Sequence, residues 1–187
     1  MINYPNIKKG INSNKKNISF KNRGLFLEDM INKTNYFYEK ENIALIYKKP
    51  TPIQIVKTNY EKGARIKDAY FKTKSTTDYN GIYKGKYIDF ETKETQSSTS
   101  IPLRNIGKHQ IEHLTKVNLH GGIAFFIVHF VFYNEFYLVE IKEFNLYLKN
   151  NNRKSIPYSF FKKSGHIINE CFNLKIDYLK IIDKLYF

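Results

Sequence analysis

Cysteine and long apolar runs are the scarcest features of this sequence. The one cysteine, Cys171, excludes a disulfide within the chain, favours a reducing compartment and is interpreted as a small buried residue. Residues 123–133 form the longest apolar run, but it is interrupted by His129 and is shorter than a membrane-spanning helix. The first ten residues, MINYPNIKKG, lack the apolar stretch of a secretory signal. We therefore expect a cytoplasmic protein with no membrane partner.

Acidic residues are also scarce. The 187 residues contain 17 Asp and Glu against 31 Lys and Arg, which gives a formal net charge of +14. A balance this basic suits a polyanionic partner, and nucleic acid leads the candidates. The length and the 42% hydrophobic content fit one domain, expected over residues 25–187, that buries its own core.

The excess positive charge is concentrated in two segments. Residues 1–24 hold six basic residues and no acidic one, and residues 48–74 hold eight basic residues against two acidic ones. The first segment predicts a flexible basic arm that follows a phosphate backbone, with a solvated tail of no function as the alternative. The second predicts a protruding basic hairpin with little apolar material at its tip.

Hydrophobic periodicity predicts helices interleaved with strands. The predicted helices cover residues 24–42, 105–120 and 175–186. The predicted strands cover residues 43–47, 53–58, 69–72, 123–133 and 136–140. This alternation predicts an α/β fold with a mixed central β-sheet flanked by helices.

The segment 76–93, TTDYNGIYKGKYIDFETK, reads as a β-hairpin with two candidate turns. A two-residue turn at Lys84-Gly85 would place Asp78 opposite Glu91. A turn at Asn80-Gly81 is also a strong hairpin signal, and it would pair Asp78 with Tyr83 instead. The first register puts Asp78, Asp89, Glu91 and Lys93 on one face, because side chains alternate along a strand.

Facing carboxylates repel each other, so the first register creates a site that a cation would stabilise. Mg²⁺ binds one or two carboxylates while keeping waters and phosphate oxygens. Such an ion would polarise a phosphodiester and activate a water, and Lys93 would orient that water and stabilise the developing charge. A solvated polar hairpin face is the alternative without chemistry. The spacing Asp78-x12-Glu91-x-Lys93 resembles the PD-(D/E)xK nuclease motif.

Two predicted helices carry further candidate residues. Glu28 lies in the first turn of the helix before the hairpin. Gln110 interrupts the apolar stripe of the helix after it, where its amide is either a structural hydrogen-bonding group or a carbonyl donor to a metal. His109 and His113 have the i, i+4 spacing of metal ligands, but no third soft ligand accompanies them. We therefore interpret both histidines as surface residues.

Five stretches of the sequence carry a family pattern. They are RGLFLEDMINKTNYFYEKENIALIYKKPTPIQIV (23–56), AYFKTKSTTDYNGIYKGKYIDFETKET (69–95), HQIEH (109–113), RKSIP (153–157) and IDYLKIIDKLYF (176–187). Together they resemble the RecU family of Holliday-junction resolvases. The resemblance implies a restriction-endonuclease-like core and a Mg²⁺-dependent homodimer, with Mn²⁺ as a substitute metal, that cuts opposed strands of four-way junction DNA.

The resemblance also implies roles for single residues. Lys93 would stabilise the transition state, and Glu28 would join the catalytic set with Asp78 and Glu91. Residues 48–74 would form a stalk inserted at the junction centre. The implied metal-binding residues are Thr76, Asp78, Glu91 and Gln110. The implied DNA-binding residues are Arg23, Lys48, Lys49, Arg65, Lys67 and Lys72.

Recombination and repair would supply the substrate, so a strand-exchange recombinase or a branch-migration helicase is an expected partner. Two other functions remain open. A restriction-type endonuclease would need a segment that reads base edges, and we find none. A non-catalytic DNA-binding module would bind without cleaving, but it would leave Asp78, Glu91 and Lys93 without a role.

Overall fold

The computed structural model describes residues 25–60, 63, 65–72, 75–169, 174 and 176–187. The predicted basic arm of residues 1–24, with the candidate DNA contact Arg23, lies outside the described residues. Cys171 also lies outside them. No helix in the described part of the chain is both long and apolar enough to cross a membrane.

The described chain contains five helices and ten strands. The helices are α1 (Leu25–Lys40), α2 (Lys108–Leu119), α3 (Ile141–Asn150), α4 (Tyr158–Ser164) and α5 (Leu179–Tyr186). The strands are β1 (Leu45–Lys48), β2 (Ile53–Asn59), β3 (Arg65–Phe71), β4 (Tyr79–Tyr83), β5 (Lys86–Thr95), β6 (Ser100–Pro102), β7 (Ile123–Phe130), β8 (Glu135–Glu140), β9 (Ser155–Pro157) and β10 (His166–Ile167).

Six strands form a mixed central sheet in the order β1-β4-β5-β7-β8-β10. β5 and β7 are parallel and are joined through α2, while the other neighbours are antiparallel. Every residue of β7 is buried, because alternate side chains enter the cores on the two faces of the sheet. The prediction of a mixed sheet flanked by helices is confirmed.

One core lies between the sheet and the helices α1 and α5, and it joins the two ends of the described chain. Tyr178, just before α5, is fully buried, and its ring centroid lies 5.5 Å from that of Tyr38 and 5.2 Å from that of Phe90. The Tyr178 hydroxyl donates a hydrogen bond of 2.5 Å to the side chain of Asn35 in α1. The other core lies under α2, α3 and α4.

The β4–β5 hairpin has the register that a turn at Lys84-Gly85 predicts. Both turn residues have positive φ, 46° and 75°, as a tight hairpin turn requires. The alternative turn at Asn80-Gly81 is wrong, because Gly81 lies inside β4 and pairs with Ile88. A side chain at Gly81 would not fit, since its Cβ would lie 2.0 Å from the carbonyl oxygen of Leu45.

β2 and β3 form a separate two-stranded hairpin, which we call the stalk. Its residues are exposed along nearly their whole length, as the predicted protruding basic hairpin requires. Two segments join the stalk to the sheet, one from the end of β1 to the start of β2 and the other from the end of β3 to the start of β4, and we call them its outgoing and returning legs. The legs lie side by side at the sheet, where the backbone N–H of Lys49 donates to the carbonyl of Asp78 at 2.7 Å.

Several element boundaries differ from the predicted ones. The strand predicted over residues 123–133 ends at Phe130, because the chain turns back through Asn134 at a φ of 52°. The helix predicted from residue 105 begins at Lys108, after a 3-10 turn at Leu103–Asn105. The helices α3 and α4 and the short strands β6, β9 and β10 were not predicted.

Candidate active site

A cleft of about 250 Å³ opens beside the central strand β5. Its lining consists of Leu27, Glu28, Asp78, Glu91, Thr92, Lys93 and Glu94. The structure thus brings together all four residues predicted to be catalytic: Glu28 from α1, Asp78 from the segment before β4, and Glu91 and Lys93 from β5. Glu94 also lines the cleft, a position that the sequence analysis did not identify.

Asp78 is held in place by β5. Its Oδ2 accepts hydrogen bonds from the backbone N–H of Thr92 at 3.0 Å and from the Thr92 hydroxyl at 2.7 Å. The paired ladder of the hairpin begins one residue later, at Tyr79 and Phe90, so Asp78 lies just beyond it. The carboxylate is therefore fixed at the mouth of the hairpin, next to Glu91.

Glu91 is almost completely buried, with 2% of its surface exposed. Lys93 donates to its Oε1 at 2.5 Å, while Oε2 is buried and receives no hydrogen bond of normal geometry. Burial and then the charge of Asp78 raise the pKa of Glu91 to about 7, and Lys93 and the amide of Gln110 lower it in smaller measure. A cation near Oε2 would remove the cost of this buried charge.

Gln110 and Thr76, the other two predicted metal ligands, each have a hydrogen-bond partner. The side-chain carbonyl of Gln110 accepts the backbone N–H of Gly107 at 2.8 Å, which caps the start of α2. Thr76 is exposed and accepts a hydrogen bond from Lys49 at 3.2 Å. Gln110 lies beside Glu91, whereas Thr76 does not line the cleft.

The donor set fits a hard divalent cation in part. No group of three or more His, Cys, Asp or Glu side chains within the described ranges is close enough to hold a metal. Asp78 and Glu91 nevertheless offer two neighbouring carboxylates, and Glu91 Oε2 is a buried oxygen without a donor. Two carboxylates with waters and a phosphate satisfy Mg²⁺. The carbonyl oxygen of Gln110 accepts one hydrogen bond and keeps a second lone pair.

The candidate DNA-binding residues fall into two groups. Lys48 is paired with Glu28 at the cleft, and Lys49 is paired at 2.7 Å with the buried carboxylate of Asp89. The others belong to the stalk: Arg65 and Lys67 lie on β3 and Lys72 follows it. All three stalk residues are exposed and form no ion pair with any residue that the structure describes.

A second buried carboxylate, Asp89, lies on the predicted face of the hairpin but was not among the predicted site residues. It has no exposed surface and binds side chains from four segments of the chain. His113, which we interpreted as a surface residue, is one of them: it is only partly exposed, and its Nε2 lies 2.9 Å from Asp89. The available signal was the predicted strand alternation, which puts Asp89 on the same face as Glu91.

Comparisons with known proteins give one consistent result. The family model Recombination protein U matches residues 22–184. A protein from Oceanobacillus iheyensis named Holliday junction resolvase RecU is 47% identical over 196 residues, which cover all of both chains. A protein of the same name from Bacillus licheniformis is 48% identical over 197 residues, which cover 100% of this chain and 98% of the relative.

A solved structure is also similar. Hjc, a Holliday junction resolvase from Archaeoglobus fulgidus, matches 74% of this chain and 93% of its own, with 11% identity and a TM-score of 0.44. The family model spans most of the residues that form the cleft, the stalk and both cores. On the strength of that match and of relatives that are nearly half identical along the whole chain, this protein belongs to the RecU family.

Proposed function

We propose that this protein is a Mg²⁺-dependent endonuclease that resolves four-way DNA junctions during recombination and repair. The observation that carries the proposal is the meeting of Asp78, Glu91 and Lys93 in one cleft of a RecU-family chain. Its relatives bear the name Holliday junction resolvase. The net charge of +14 suits a DNA substrate.

The chemistry of the cleft follows from the surroundings of each group. A divalent ion bound by Asp78 and Glu91 would polarise the scissile phosphate and lower the pKa of an attacking water. Thr92 keeps the Asp78 carboxylate oriented through two hydrogen bonds. Lys93 lies at the other oxygen of Glu91, where its ammonium group can turn to a phosphate oxygen and stabilise developing charge. Glu28 lines the cleft and is paired with Lys48, so it would have to leave Lys48 before it could contact the substrate.

The substrate determines the expected assembly. Resolving a junction takes cuts in two opposed strands, and the described residues supply one nuclease cleft per chain. Two chains related by a two-fold axis match the approximate two-fold symmetry of a junction. We therefore propose a homodimer, with Arg65, Lys67 and Lys72 of each stalk tracking phosphates near the junction centre. The metal, the cytoplasmic location and recombination proteins as partners belong to the same proposal.

The direct test compares two substrates under two conditions. The purified protein is incubated with a labelled immobile four-way junction or a linear duplex of matched sequence, in Mg²⁺ or in EDTA. We expect cleavage of the junction alone, in Mg²⁺ alone, and none by Asp78→Asn. Equal cleavage of both substrates would indicate a restriction-type endonuclease. Binding with no cleavage in any metal would indicate a non-catalytic DNA-binding module.

A further inference from the structure

Asp89 is a buried carboxylate next to the cleft that the proposed chemistry does not use. Its Oδ2 accepts from Lys49 Nζ at 2.7 Å and from the Tyr87 hydroxyl at 2.9 Å, and Nε2 of His113 lies 2.9 Å from the same oxygen. The Thr77 hydroxyl donates to the other oxygen, Oδ1. Because an ionised carboxylate only accepts hydrogen bonds, the Nε2 of His113 must carry the proton. We call these five residues the Asp89 cluster.

The Asp89 cluster joins both legs of the stalk to one strand. Lys49 follows β1 directly and opens the outgoing leg, while Thr77 closes the returning leg two residues before β4. Lys49 also donates to the Thr77 hydroxyl at 2.6 Å, so the two legs are bound to each other as well as to Asp89. Each leg therefore reaches the same carboxylate where it meets the sheet.

The Asp89 cluster also lies next to the residues proposed for catalysis. Asp89 precedes Glu91 by two positions on β5 and so shares its face of the sheet. Thr77 precedes Asp78, whose carbonyl accepts the backbone N–H of Lys49. His113 lies one helical turn after Gln110 on α2. A shift of either leg of the stalk must therefore move Asp78, or break a hydrogen bond to a carboxylate that has no access to water.

We propose that Asp89 is a positioning residue that couples the stalk to the nuclease cleft. It holds both legs of the stalk at one fixed geometry and, through Thr77, fixes Asp78 against the strand that carries Glu91 and Lys93. The stalk and the cleft then respond to DNA as one rigid unit, which links junction shape to cleavage. The inference deepens the proposed function and rests on it for the role of the DNA.

Two variants remove the coupling in different ways. Asp89→Asn keeps the shape but removes the charge, and its amide N–H₂ group replaces one of the two oxygens that accept hydrogen bonds from the other four side chains of the cluster. Thr77→Val removes the hydrogen bond of the returning leg to Asp89 and the hydrogen bond that Thr77 accepts from Lys49. Glu140→Gln is the matched control, because Glu140 is also buried, also pairs with a lysine and a tyrosine, and lies two strands away on β8.

The first measurement uses DNA. For Asp89→Asn and Thr77→Val we expect the single-turnover rate at saturating junction and Mg²⁺ to fall by about tenfold or more, as a small misplacement of a catalytic group does. In EDTA we expect the ratio of junction affinity to linear duplex affinity to fall by about fivefold, which is the scale of coupling between sites. Glu140→Gln should stay close to wild type in both measurements.

The second measurement uses no DNA. Hydrogen–deuterium exchange of the free protein should become faster at the stalk legs, residues 49–53 and 75–79, in the two variants and not in the control. The inference is overturned if exchange at the stalk legs is unchanged in the two variants, or if it becomes faster while the affinity ratio stays at the wild-type value. It is also overturned if Glu140→Gln changes the exchange rate and the affinity ratio as much as Asp89→Asn does. A wild-type protein that cleaves no junction would refute the proposed function instead, and the exchange result would still decide whether Asp89 holds the legs.

Discussion

At the scale of single residues, the cleft depends on charge held away from water. Glu91 is buried beside a second carboxylate and is compensated by Lys93 at only one of its two oxygens. Such a group is costly to the folded state, since a buried charge without full pairing is destabilising. The arrangement is therefore better suited to binding a cation than to stabilising the fold.

Asp78→Asn, Glu91→Gln and Lys93→Ala should each abolish junction cleavage while leaving junction binding largely intact. Each change removes a group that, under the proposed function, would contact the reacting phosphate or its metal. We therefore expect a loss of about 10²-fold to 10⁴-fold in cleavage rate. Gel-shift affinity in EDTA and cleavage in Mg²⁺ are measured on the same preparations. Cleavage that persists in one variant would remove that residue from the site.

Glu91→Gln should also make the protein more stable above pH 7. The pKa of Glu91 is raised by burial from 4.5 to about 7, so the folded state binds more protons than the unfolded state between these values. Stability is therefore lost as pH rises through this window, and the variant escapes a loss of up to about 3 kcal/mol. Urea unfolding in EDTA at pH 5 and pH 8 measures the difference in the free energy of unfolding between the variant and the wild type.

The gain in stability of Glu91→Gln over the wild type should be large at pH 8 and small at pH 5. Added Mg²⁺ provides the control, because an ion that binds only the folded protein stabilises the wild type and not Glu91→Gln. An equal advantage at both pH values would mean that Glu91 is already ionised at pH 5.

At the scale of elements, the β4–β5 hairpin organises the site, and it was the most predictable part of the chain. Both candidate turns have Gly at the second position, so the turn signal left two registers open. In the register of the Lys84-Gly85 turn, strand alternation put Asp78, Glu91 and Lys93 together. Asp89 was on the same predicted face, but nothing local indicates which segments return to it. Its partners Lys49 and His113 come from parts of the chain 40 and 24 positions away.

The elements that escaped prediction are short. α4 has 7 residues and β10 has 2, so neither offers enough repeats of an apolar pattern to be distinguished from a loop. α3 does show apolar residues at helical spacing, Ile141, Phe144 and Leu148, and could have been found from them. The place of Thr76 depends on the conformation of the stalk legs, which no periodic pattern specifies.

Gly81→Ala should break the pairing of β1 with β4. A Cβ there would lie 2.0 Å from the Leu45 carbonyl oxygen and 2.6 Å from Ile46 Cα, both backbone atoms, so the strands must separate. We expect a loss of about 3 kcal/mol or more in the free energy of unfolding. Gly85→Ala is the control, because a Cβ at Gly85 would contact no other atom. Its φ of +75° is unfavourable for alanine, so this change should lower the free energy of unfolding by about 1 kcal/mol. Equal losses of stability in the two variants would show that β1 does not pack closely against Gly81.

Replacing Arg65, Lys67 and Lys72 of the stalk by Ala should weaken junction binding and flatten its salt dependence. Each lost phosphate contact lowers the slope of log affinity against log salt by about 0.9. The proposed dimer loses three contacts from each of its two stalks, so the triple variant should lose about five units. Titration of labelled junction at several salt concentrations gives the slope. The control removes Lys149, Lys162 and Lys163, which are exposed on α3 and α4. Equal slopes for both triple variants would place the DNA elsewhere.

At the scale of the whole molecule, the described residues form one nuclease cleft, so the proposed paired cuts need two chains. Mixing wild type with Glu91→Gln subunits should give heterodimers that cut only one strand. On a supercoiled plasmid that extrudes a cruciform, they should accumulate nicked circles, whereas wild-type homodimers give linear product. Sedimentation of the mixture should confirm dimers. If mixing only dilutes the linear product, one chain makes both cuts or the two chains do not act together.

The contact between Tyr178 and the first helix has a consequence for how the chain folds during its synthesis. Tyr178 covers the rings of Tyr38 and Phe90, so these lack their cover until nearly all of the described chain has been synthesised. Unfinished chains expose apolar surface of the kind that chaperones and proteases recognise. The strand that carries Glu91 is packed on both faces only after translation has passed Tyr178. The cleft that Glu91 lines is therefore complete only after the segment around Tyr178 has packed against α1 and β5.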